Sequence, residues 1–263
     1  MSESGLAPVW TSLRSAGRKA LIPYLTAGYP TPGASAAALR SAAEVADIIE
    51  VGVPFSDPLA DGPTIQRSTF EALRQGMTLT GTLDLIARAE LARPVVVFSY
   101  LNPILQFGID RFLRTAERLG IAGLLLTDLP AGSDPEVEAA VQRSGLDLIR
   151  LVAPTTRAER LRVTLEGAQG FVYLVARLGV TGARASLDIE LQDSIARVRK
   201  ATSMPLAVGF GISTPEQAYA VGQMADGVVV GSALVEILGR DGVGAARGFL
   251  GTLREALDGG DNR

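Results

Sequence analysis

Short apolar segments rich in Val, Ile and Leu recur along the chain at intervals of about 25 to 30 residues. Each is followed by turn residues and then by a stretch with apolar residues three and four positions apart, as on one face of a helix. The pattern predicts eight strands, at residues 20–25, 46–51, 94–99, 123–127, 147–152, 170–175, 205–208 and 227–230. It also predicts intervening helices, among them 110–119, 134–143 and 190–200. Strand and helix therefore alternate as repeated βα units.

The predicted strands are continuous apolar runs, which is typical of strands covered on both faces in a parallel sheet. Eight βα units in 263 residues predict an α/β fold, a single (β/α)8 TIM barrel. An open, doubly wound parallel sheet is the structural alternative. No linker rich in Pro, Gly or Ser divides the chain. We therefore expect one domain over residues 1–263, with an N-terminal helix within 1–17 on the bottom of the barrel and a frayed tail at 259–263.

The helix after the seventh predicted strand carries a start signal. Ser213 is predicted to cap this helix, Pro215 to occupy its first turn, and Glu216 to complete a capping box. A short helix is predicted to start at Ser232, directly after the eighth strand.

The composition restricts the chemistry. The chain has 25 basic and 28 acidic residues mixed along the sequence and a formal net charge of -3, so no basic stripe indicates binding to nucleic acid. It has no Cys and no His, which excludes thiolate nucleophiles, disulfides and the commonest metal ligand. Acid-base chemistry must therefore come from Asp, Glu, Lys or Tyr, and we expect no metal site.

The sequence contains no segment that predicts membrane insertion or targeting. The first ten residues, MSESGLAPVW, lack a basic region followed by an apolar run. No later segment approaches the roughly 18 uninterrupted apolar residues of a membrane-spanning helix. We therefore expect a cytoplasmic protein that has no membrane partner.

The densest group of candidate catalytic residues follows the second predicted strand. Glu50 shares a face of this strand with Ile48, so Glu50 faces the barrel mouth if Ile48 fills the interior. Burial there would raise the pKa of Glu50 and make it a proton donor or acceptor near neutral pH. Asp57 and Asp61 lie in the following loop, at the end where TIM-barrel active sites form. The residues alone leave open that Glu50 is ion-paired and that both aspartates only stabilise turns.

Glycine-bearing turns follow the seventh and eighth predicted strands, at residues 209–212 and 231–234. Glycines let backbone N–H groups approach an anion, and a short helix starting at Ser232 would direct its positive end to the same place. TIM barrels often bind phosphate at this position. A third glycine-bearing segment, 177–182, follows the sixth strand and could fold over the same anion. The sequence therefore predicts a phosphate site, with simple turn formation as the alternative.

Aromatic residues near the strand ends are further candidates. Tyr24 lies at the end of the first predicted strand and Tyr173 within the sixth, where aromatic side chains are also common for packing. Residues 100–103, Tyr-Leu-Asn-Pro, follow the third strand and could line the barrel mouth.

Residues 54–66, PFSDPLADGPTIQ, resemble the signature of the tryptophan synthase alpha family. Matching segments lie in the same order and spacing at residues 23–28, 100–103, 128–130, 179–182, 209–212 and 231–232. The resemblance implies a TIM barrel that acts as a lyase and cleaves indole-3-glycerol phosphate to indole and glyceraldehyde 3-phosphate. A sugar-phosphate isomerase or epimerase, which the late glycine turns alone would permit, does not account for the match at residues 54–66.

The resemblance also assigns roles to individual residues. It implies that Glu50 and Asp61 are the two catalytic carboxylates and that Asp57 organises the loop of Asp61. Substrate-binding roles fall on Tyr24, Leu101, Tyr173, Thr181, Gly182, Phe210, Gly211, Gly231 and Ser232. The chain departs from many relatives at Ala176, where they carry Ser, and at Leu178, where they carry a smaller residue. These departures affect the expected closure of the nearby loop more than the chemistry.

A partner protein follows from the resemblance as well. It implies that Pro54, Asp57, Pro58 and Asp128 face a beta subunit in a heterotetramer of two alpha and two beta subunits. The beta subunit is expected to carry pyridoxal phosphate and to receive indole through an internal tunnel for L-tryptophan biosynthesis. No cofactor is expected on this chain. Two alternatives stay open, a standalone indole-3-glycerol-phosphate lyase and a catalytically weak activating subunit.

Overall fold

The computed structural model describes residues 5–175, 184–209 and 211–259, and for 184–189 the backbone alone. Eight parallel strands form a closed barrel in which each strand pairs with its neighbour in sequence and the last pairs with the first. At least one helix follows every strand. This arrangement is the TIM-barrel fold, which confirms the predicted fold class and excludes the open doubly wound sheet.

The strands are β1 (Ala20–Thr26), β2 (Ile49–Gly52), β3 (Val95–Ser99), β4 (Ile121–Leu126), β5 (Asp147–Val152), β6 (Val172–Val175), β7 (Leu206–Gly209) and β8 (Gly227–Val230). The helices are α1 (Ala7–Ser15), α2 (Pro32–Ala43), α3 (Pro63–Arg74), α4 (Leu79–Ala89), α5 (Leu101–Phe107), α6 (Ile109–Arg118), α7 (Pro135–Arg143), α8 (Ala158–Leu165), α9 (Arg184–Ala201), α10 (Pro215–Met224) and α11 (Ser232–Leu257). Among the described residues, none of these helices is long and apolar enough to cross a membrane.

The strands are buried on both faces, as their apolar runs predict. Every residue of β1, β3 and β4 is buried, because inward side chains fill the barrel and outward ones pack against the helices. At the amino end of the barrel, the ring of Trp10 in α1 packs 5.6 Å from that of Phe171. The amide of Leu6 donates a 3.1 Å hydrogen bond to the buried carboxylate of Asp147. The helix before β1 is therefore attached to the end of the barrel opposite the strands' carboxyl ends.

Six of the eight strands differ from their predicted bounds by one to three residues, and two of these differences have a visible local cause. The second strand starts at Ile49, three residues late, since the amide of Ala46 bonds the carbonyl of Ala42 at the end of α2. The fourth strand starts at Ile121, two residues early, where a register shift lets Val95 pair with Ile121. The strands predicted at 147–152 and 227–230 have the predicted bounds.

The predicted cap of α10 is wrong by one residue. Thr214, and not Ser213, precedes the helix, and its hydroxyl accepts the amide of Gln217 at 3.3 Å. The side chain of Gln217 accepts the amide of Thr214 in return, which completes a capping box. Glu216 is only two residues from this cap, so it cannot occupy the position that a capping box requires. Pro215 does lie in the first turn, as predicted.

The last helix, α11, starts at Ser232 as predicted but is longer than predicted. It continues to Leu257 with an interruption at Gly242, whose φ of 82° and ψ of -176° are not helical. The predicted short helix is therefore the first segment of α11, before the kink.

Candidate active site

The predicted site residues converge at the carboxyl end of the barrel strands. In the sheet, Tyr24 of β1 pairs with Glu50 of β2, and Glu50 pairs with Val96 of β3. The loops after β2, β7 and β8 cover the same end. Together these elements line one cavity, formed by Tyr24, Glu50, Asp61, Gly62, Ile65, Phe98, Tyr173, Gly211, Gly231 and Ser232.

Glu50 is the most unusual group in this cavity. Its side chain is fully buried, with 0% of its surface exposed. Neither Oε1 nor Oε2 has a hydrogen-bond partner among the described residues. Burial without a partner disfavours the charged form and raises the pKa of Glu50 from 4.5 to about 8. The open alternative of an ion-paired Glu50 therefore finds no support, and the carboxyl is protonated at neutral pH.

Asp61 is held at the cavity by a set of hydrogen bonds in its loop. The hydroxyl of Tyr100 donates to Asp61 Oδ2 at 3.2 Å and accepts the amide of Ala60 at 2.9 Å. Gln66 Nε2 donates to the carbonyls of Asp61 and Pro58, at 2.9 and 3.3 Å. Burial raises the pKa of Asp61 to about 6, although the hydrogen bond from Tyr100 lowers it. Asp61 is therefore mostly ionised at neutral pH.

The two carboxyl groups differ in protonation although they line one cavity. Near pH 7, Glu50 holds a proton and Asp61 carries a negative charge. Two acids whose environments separate their pKa values in this way suit the roles of proton donor and charge stabiliser. The arrangement can deliver a proton to one atom of a ligand while stabilising positive charge at another.

Aromatic rings form the apolar wall of the cavity. The rings of Tyr24 and Phe98 meet edge to face, with centroids 5.2 Å apart and an interplanar angle of 78°. Burial raises the pKa of both Tyr24 and Tyr173 well above the ordinary tyrosine value, so their hydroxyls stay neutral. Gly52 makes room for Tyr24, since a Cβ atom at Gly52 would lie 2.0 Å from the tyrosine hydroxyl. The wall suits a flat, apolar ligand with a few polar groups.

The glycine turns after β7 and β8 form the other end of the cavity. Gly211 has a φ of +88°, a left-handed conformation that favours glycine. Gly231 precedes α11, and no side chain in the described part of the chain caps this helix. The first amides of a helix have no partner within it, so those after Gly231 are placed where they can bind an anion. A Cβ atom at Gly231 would come no closer than 3.6 Å to its neighbours.

Not every predicted site residue lies in this cavity. Leu101 starts α5 at the same end of the barrel but is absent from the cavity wall that the described residues form. Thr181, Gly182 and Phe210, like the two departures at Ala176 and Leu178, lie outside the described residues. Asp57 is exposed, and its carboxylate accepts the hydroxyl of Ser56 at 2.6 Å, so its role in organising the loop stays a prediction.

Several residues of the site were not predicted individually. Tyr100 was expected at the barrel mouth, but its bond to Asp61 was not, because nothing in the sequence relates these two positions. Phe98 shares a strand face with Val96, the partner of Glu50, and this alternation could have identified it. Gly62 and Ile65 lie within residues 54–66 and were available from that motif.

A larger groove of about 620 Å³ lies between α4 and α6. Its charged groups, such as Asp84, Arg111 and Arg118, are exposed to solvent. Arg111 also stacks on the ring of Phe107, 4.3 Å from its centroid. Because water screens charges that are exposed to solvent, this groove is a weaker candidate for catalysis than the buried cavity at Glu50.

Comparison with known proteins connects this geometry to a family. A family model described as tryptophan synthase alpha chain matches residues 10–250. The tryptophan synthase alpha chain of Geobacter sulfurreducens is 44% identical, over 97% of this chain and 99% of its own. That of Carboxydothermus hydrogenoformans is 49% identical, over 89% of each chain.

Solved structures agree with the sequence relatives. A chain of tryptophan synthase from M. tuberculosis, in an open form with BRD0059 bound, has a TM-score of 0.89 and 40% identity, over 97% of this chain and 99% of that one. Tryptophan synthase subunit alpha from Legionella pneumophila also has a TM-score of 0.89, with 34% identity, over 98% of this chain and 100% of that one.

Proposed function

Because the chain belongs to the tryptophan synthase alpha chain family, we propose that Glu50 and Asp61 are the carboxylates with which it cleaves its substrate. The family assignment confirms the resemblance at residues 54–66. The chain is a lyase of tryptophan biosynthesis that splits indole-3-glycerol phosphate into indole and glyceraldehyde 3-phosphate. The assignment of the two catalytic residues rests on one observation, the fully buried Glu50 without a partner in the same cavity as Asp61.

The cleavage requires two proton transfers and a group that accepts the electrons of the broken carbon-carbon bond. Glu50, protonated at neutral pH, delivers its proton to C3 of the indole ring, which gives the ring a positive charge. The resulting Glu50 carboxylate takes the proton of the glycerol hydroxyl next to the bond that breaks. The electrons of that carbon-carbon bond return to the ring, and indole and an aldehyde separate. Glu50 ends the cycle protonated, as it began.

Asp61 acts on the nitrogen of the ring. Its carboxylate accepts a hydrogen bond from the indole N–H and stabilises the positive charge that develops when C3 is protonated. Tyr100 supports this role because its hydroxyl fixes Asp61 Oδ2 and the amide of Ala60 together. The rings of Tyr24 and Phe98 then offer an apolar wall to the indole.

The phosphate of the substrate belongs at the opposite end of the cavity. Gly211, Gly231 and Ser232 line the cavity there, so their backbone amides would bind the phosphate, and the positive end of α11 would add an attraction for an anion. Binding of the phosphate positions the reacting carbons next to the carboxyl groups. Part of the binding energy is thus used to lower the barrier of the reaction.

A pH profile tests the pair of carboxyl groups. We expect kcat/KM to be maximal between about pH 6 and pH 8, because Asp61 must be ionised and Glu50 must be protonated. The rate falls below the pKa of Asp61 and above that of Glu50. The chain has no His to titrate in this range. Indole release measured from pH 5 to pH 9 gives the profile.

The phosphate of the substrate also titrates near pH 6, so inhibition by glycerol phosphate over the same pH range serves as the control. A rate that keeps rising above pH 8 would contradict the role of Glu50 as proton donor.

A charge at Gly231 tests the phosphate site. Gly231→Asp is expected to raise KM for indole-3-glycerol phosphate by about tenfold or more, because its carboxylate would face the phosphate. Gly231→Asn is the matched control with the same shape and no charge, and the space around Gly231 accommodates a Cβ atom in either variant. Equal KM values for the two variants would show that the phosphate binds elsewhere.

We also propose that the chain acts with a beta subunit in the cytoplasm. The surface beside the cavity mouth supports this, because Leu59 is 91% exposed and Leu105 is 45% exposed. Asp57 and Asp128, predicted to face the partner, are exposed at the same end. Pro54 is buried and Pro58 partly buried, so they can contribute backbone more than side-chain contacts.

The proposed partner would hold pyridoxal phosphate and receive indole in a heterotetramer of two alpha and two beta subunits. A standalone lyase would instead release indole at the full rate without a beta subunit. An activating subunit without catalysis would show no release even with the partner.

A further inference from the structure

The loop between β4 and α7, residues 127–134, joins the proposed partner surface to the start of α5; we call it the β4–α7 loop. Asp128 lies in this loop, and its Oδ1 accepts the amide of Leu101 at 2.7 Å. Leu101 is the first residue of α5, which follows β3 at the cavity end of the barrel. The position of the loop therefore affects the position of the first residue of α5.

A buried ion pair lies beneath this loop. Arg150, in β5, is 4% exposed, and Glu138, in α7, is 8% exposed. The guanidinium Nη2 donates to Glu138 Oε2. Because side chains alternate along a strand, Arg150 points toward α7 while its neighbour Leu151, paired with Tyr173, points into the barrel. The pair is thus separate from the catalytic cavity.

Both members of the pair also bind the backbone of the loop. Arg150 Nη1 donates to the carbonyl of Leu129 at 3.2 Å. Glu138 Oε1 accepts the amide of Gly132 at 2.7 Å. Between these two contacts, Arg160 of α8 donates to the carbonyl of Ala131 at 3.3 Å. The turn at residues 129–132 is therefore held at both ends by one ion pair.

Stability alone is a weak reason for such a pair. Replacing a buried ion pair with apolar residues of similar size is often neutral or stabilising, because each charge loses its water. Arg150 Nε has no hydrogen-bond partner within the described part of the chain, so the guanidinium is not fully compensated. The backbone groups that do find hydrogen-bond partners in this pair, the carbonyl of Leu129 and the amide of Gly132, belong to the loop.

We propose that Arg150 and Glu138 are positioning residues that hold the β4–α7 loop, and with it Asp128, ready to bind the partner subunit. This inference rests on the proposed association with a beta subunit. A loop that is already ordered loses less conformational entropy on association, so partner binding is tighter. Because Asp128 accepts the amide of Leu101, an ordered loop also holds the first residue of α5 in place.

The test compares two double variants. Arg150→Met with Glu138→Leu removes both charges and both loop contacts while keeping volume. The matched control, Asp47→Leu with Arg254→Met, removes a second buried ion pair, whose Nη1 and Oδ2 atoms are 2.9 Å apart at the amino end of the barrel. A beta subunit is titrated into each protein while indole release is measured.

For the Arg150 and Glu138 double variant we expect the beta-subunit concentration at half-maximal activation to rise about tenfold, with a thermal midpoint near that of the wild type. Hydrogen exchange at the amides of Gly132 and Leu101 should speed up, while the β4 amides stay protected. The control pair should leave the titration unchanged. If the apolar pair does not fold, Arg150→Lys serves instead, because one ammonium cannot hold both Glu138 and the Leu129 carbonyl in the same geometry.

A wild-type titration midpoint in the Arg150 and Glu138 variants, or wild-type exchange at Gly132, overturns the inference. Failure of the proposed partnership looks different. In that case the beta subunit does not activate even the wild-type chain, and exchange at Gly132 and Leu101 alone decides whether the pair positions the loop.

Discussion

Replacing Glu50 with Gln is expected to lower kcat for indole release by about a hundredfold or more at pH 7. The amide has nearly the same shape as the carboxyl group, so it fills the buried position in β2. It cannot give a proton to C3 of indole or take one from the glycerol hydroxyl. Measuring indole release by the variant and the wild-type chain, at saturating indole-3-glycerol phosphate, tests the expectation. Near-normal release would remove Glu50 from the mechanism.

The stability of the same variant provides the control for folding. The folded-state pKa of Glu50, about 8, lies above its ordinary value of 4.5. Its contribution to the free energy of unfolding is therefore complete below about pH 4.5 and is lost as the pH rises toward 8. Glu50→Gln lacks this loss, so between pH 5 and pH 8 the variant should lose less stability than the wild type, by about 2 kcal/mol or more.

Urea unfolding of both proteins at pH 5 and pH 8 measures this difference. An inactive variant that unfolds cooperatively and loses less stability between pH 5 and pH 8 has lost its chemistry and not its structure. Equal pH dependence in both proteins would mean that Glu50 is not a buried, unpaired acid.

Replacing Asp61 with Asn is expected to have a comparable effect, a loss of about a hundredfold or more in kcat. Asn keeps the size of the side chain and an oxygen that can accept the hydroxyl of Tyr100, but it carries no charge to stabilise the protonated ring. The residual activity should also lose the fall below about pH 6 that protonation of Asp61 causes in the wild-type chain. Indole release as a function of pH measures both effects.

Asp84→Asn is the matched control, because this exposed carboxylate on α4 lies in the groove away from the cavity. It should leave kcat unchanged. If the two Asn variants lose similar activity, the effect belongs to net charge and not to the position of Asp61.

The periodicity of the sequence was sufficient to predict the fold. Eight apolar segments alternating with helical stretches correspond to the eight strands of the barrel, and two of them have the predicted bounds. This succeeds because the pattern depends on which side chains face water, a property that each segment carries locally. Errors occurred where a single hydrogen bond decides the outcome, as at Thr214, where the choice between two adjacent capping residues depends on Gln217.

The sequence by itself also identified the candidate acids, the glycine turns and the family. It could not determine that Glu50 lacks any partner among the described residues, that Tyr100 holds Asp61, or that Arg150 and Glu138 support the loop at Asp128. These relations join residues far apart in the chain. Their pKa values and contacts depend on burial, and burial exists only when the closed barrel brings the strand ends together and excludes water from between them.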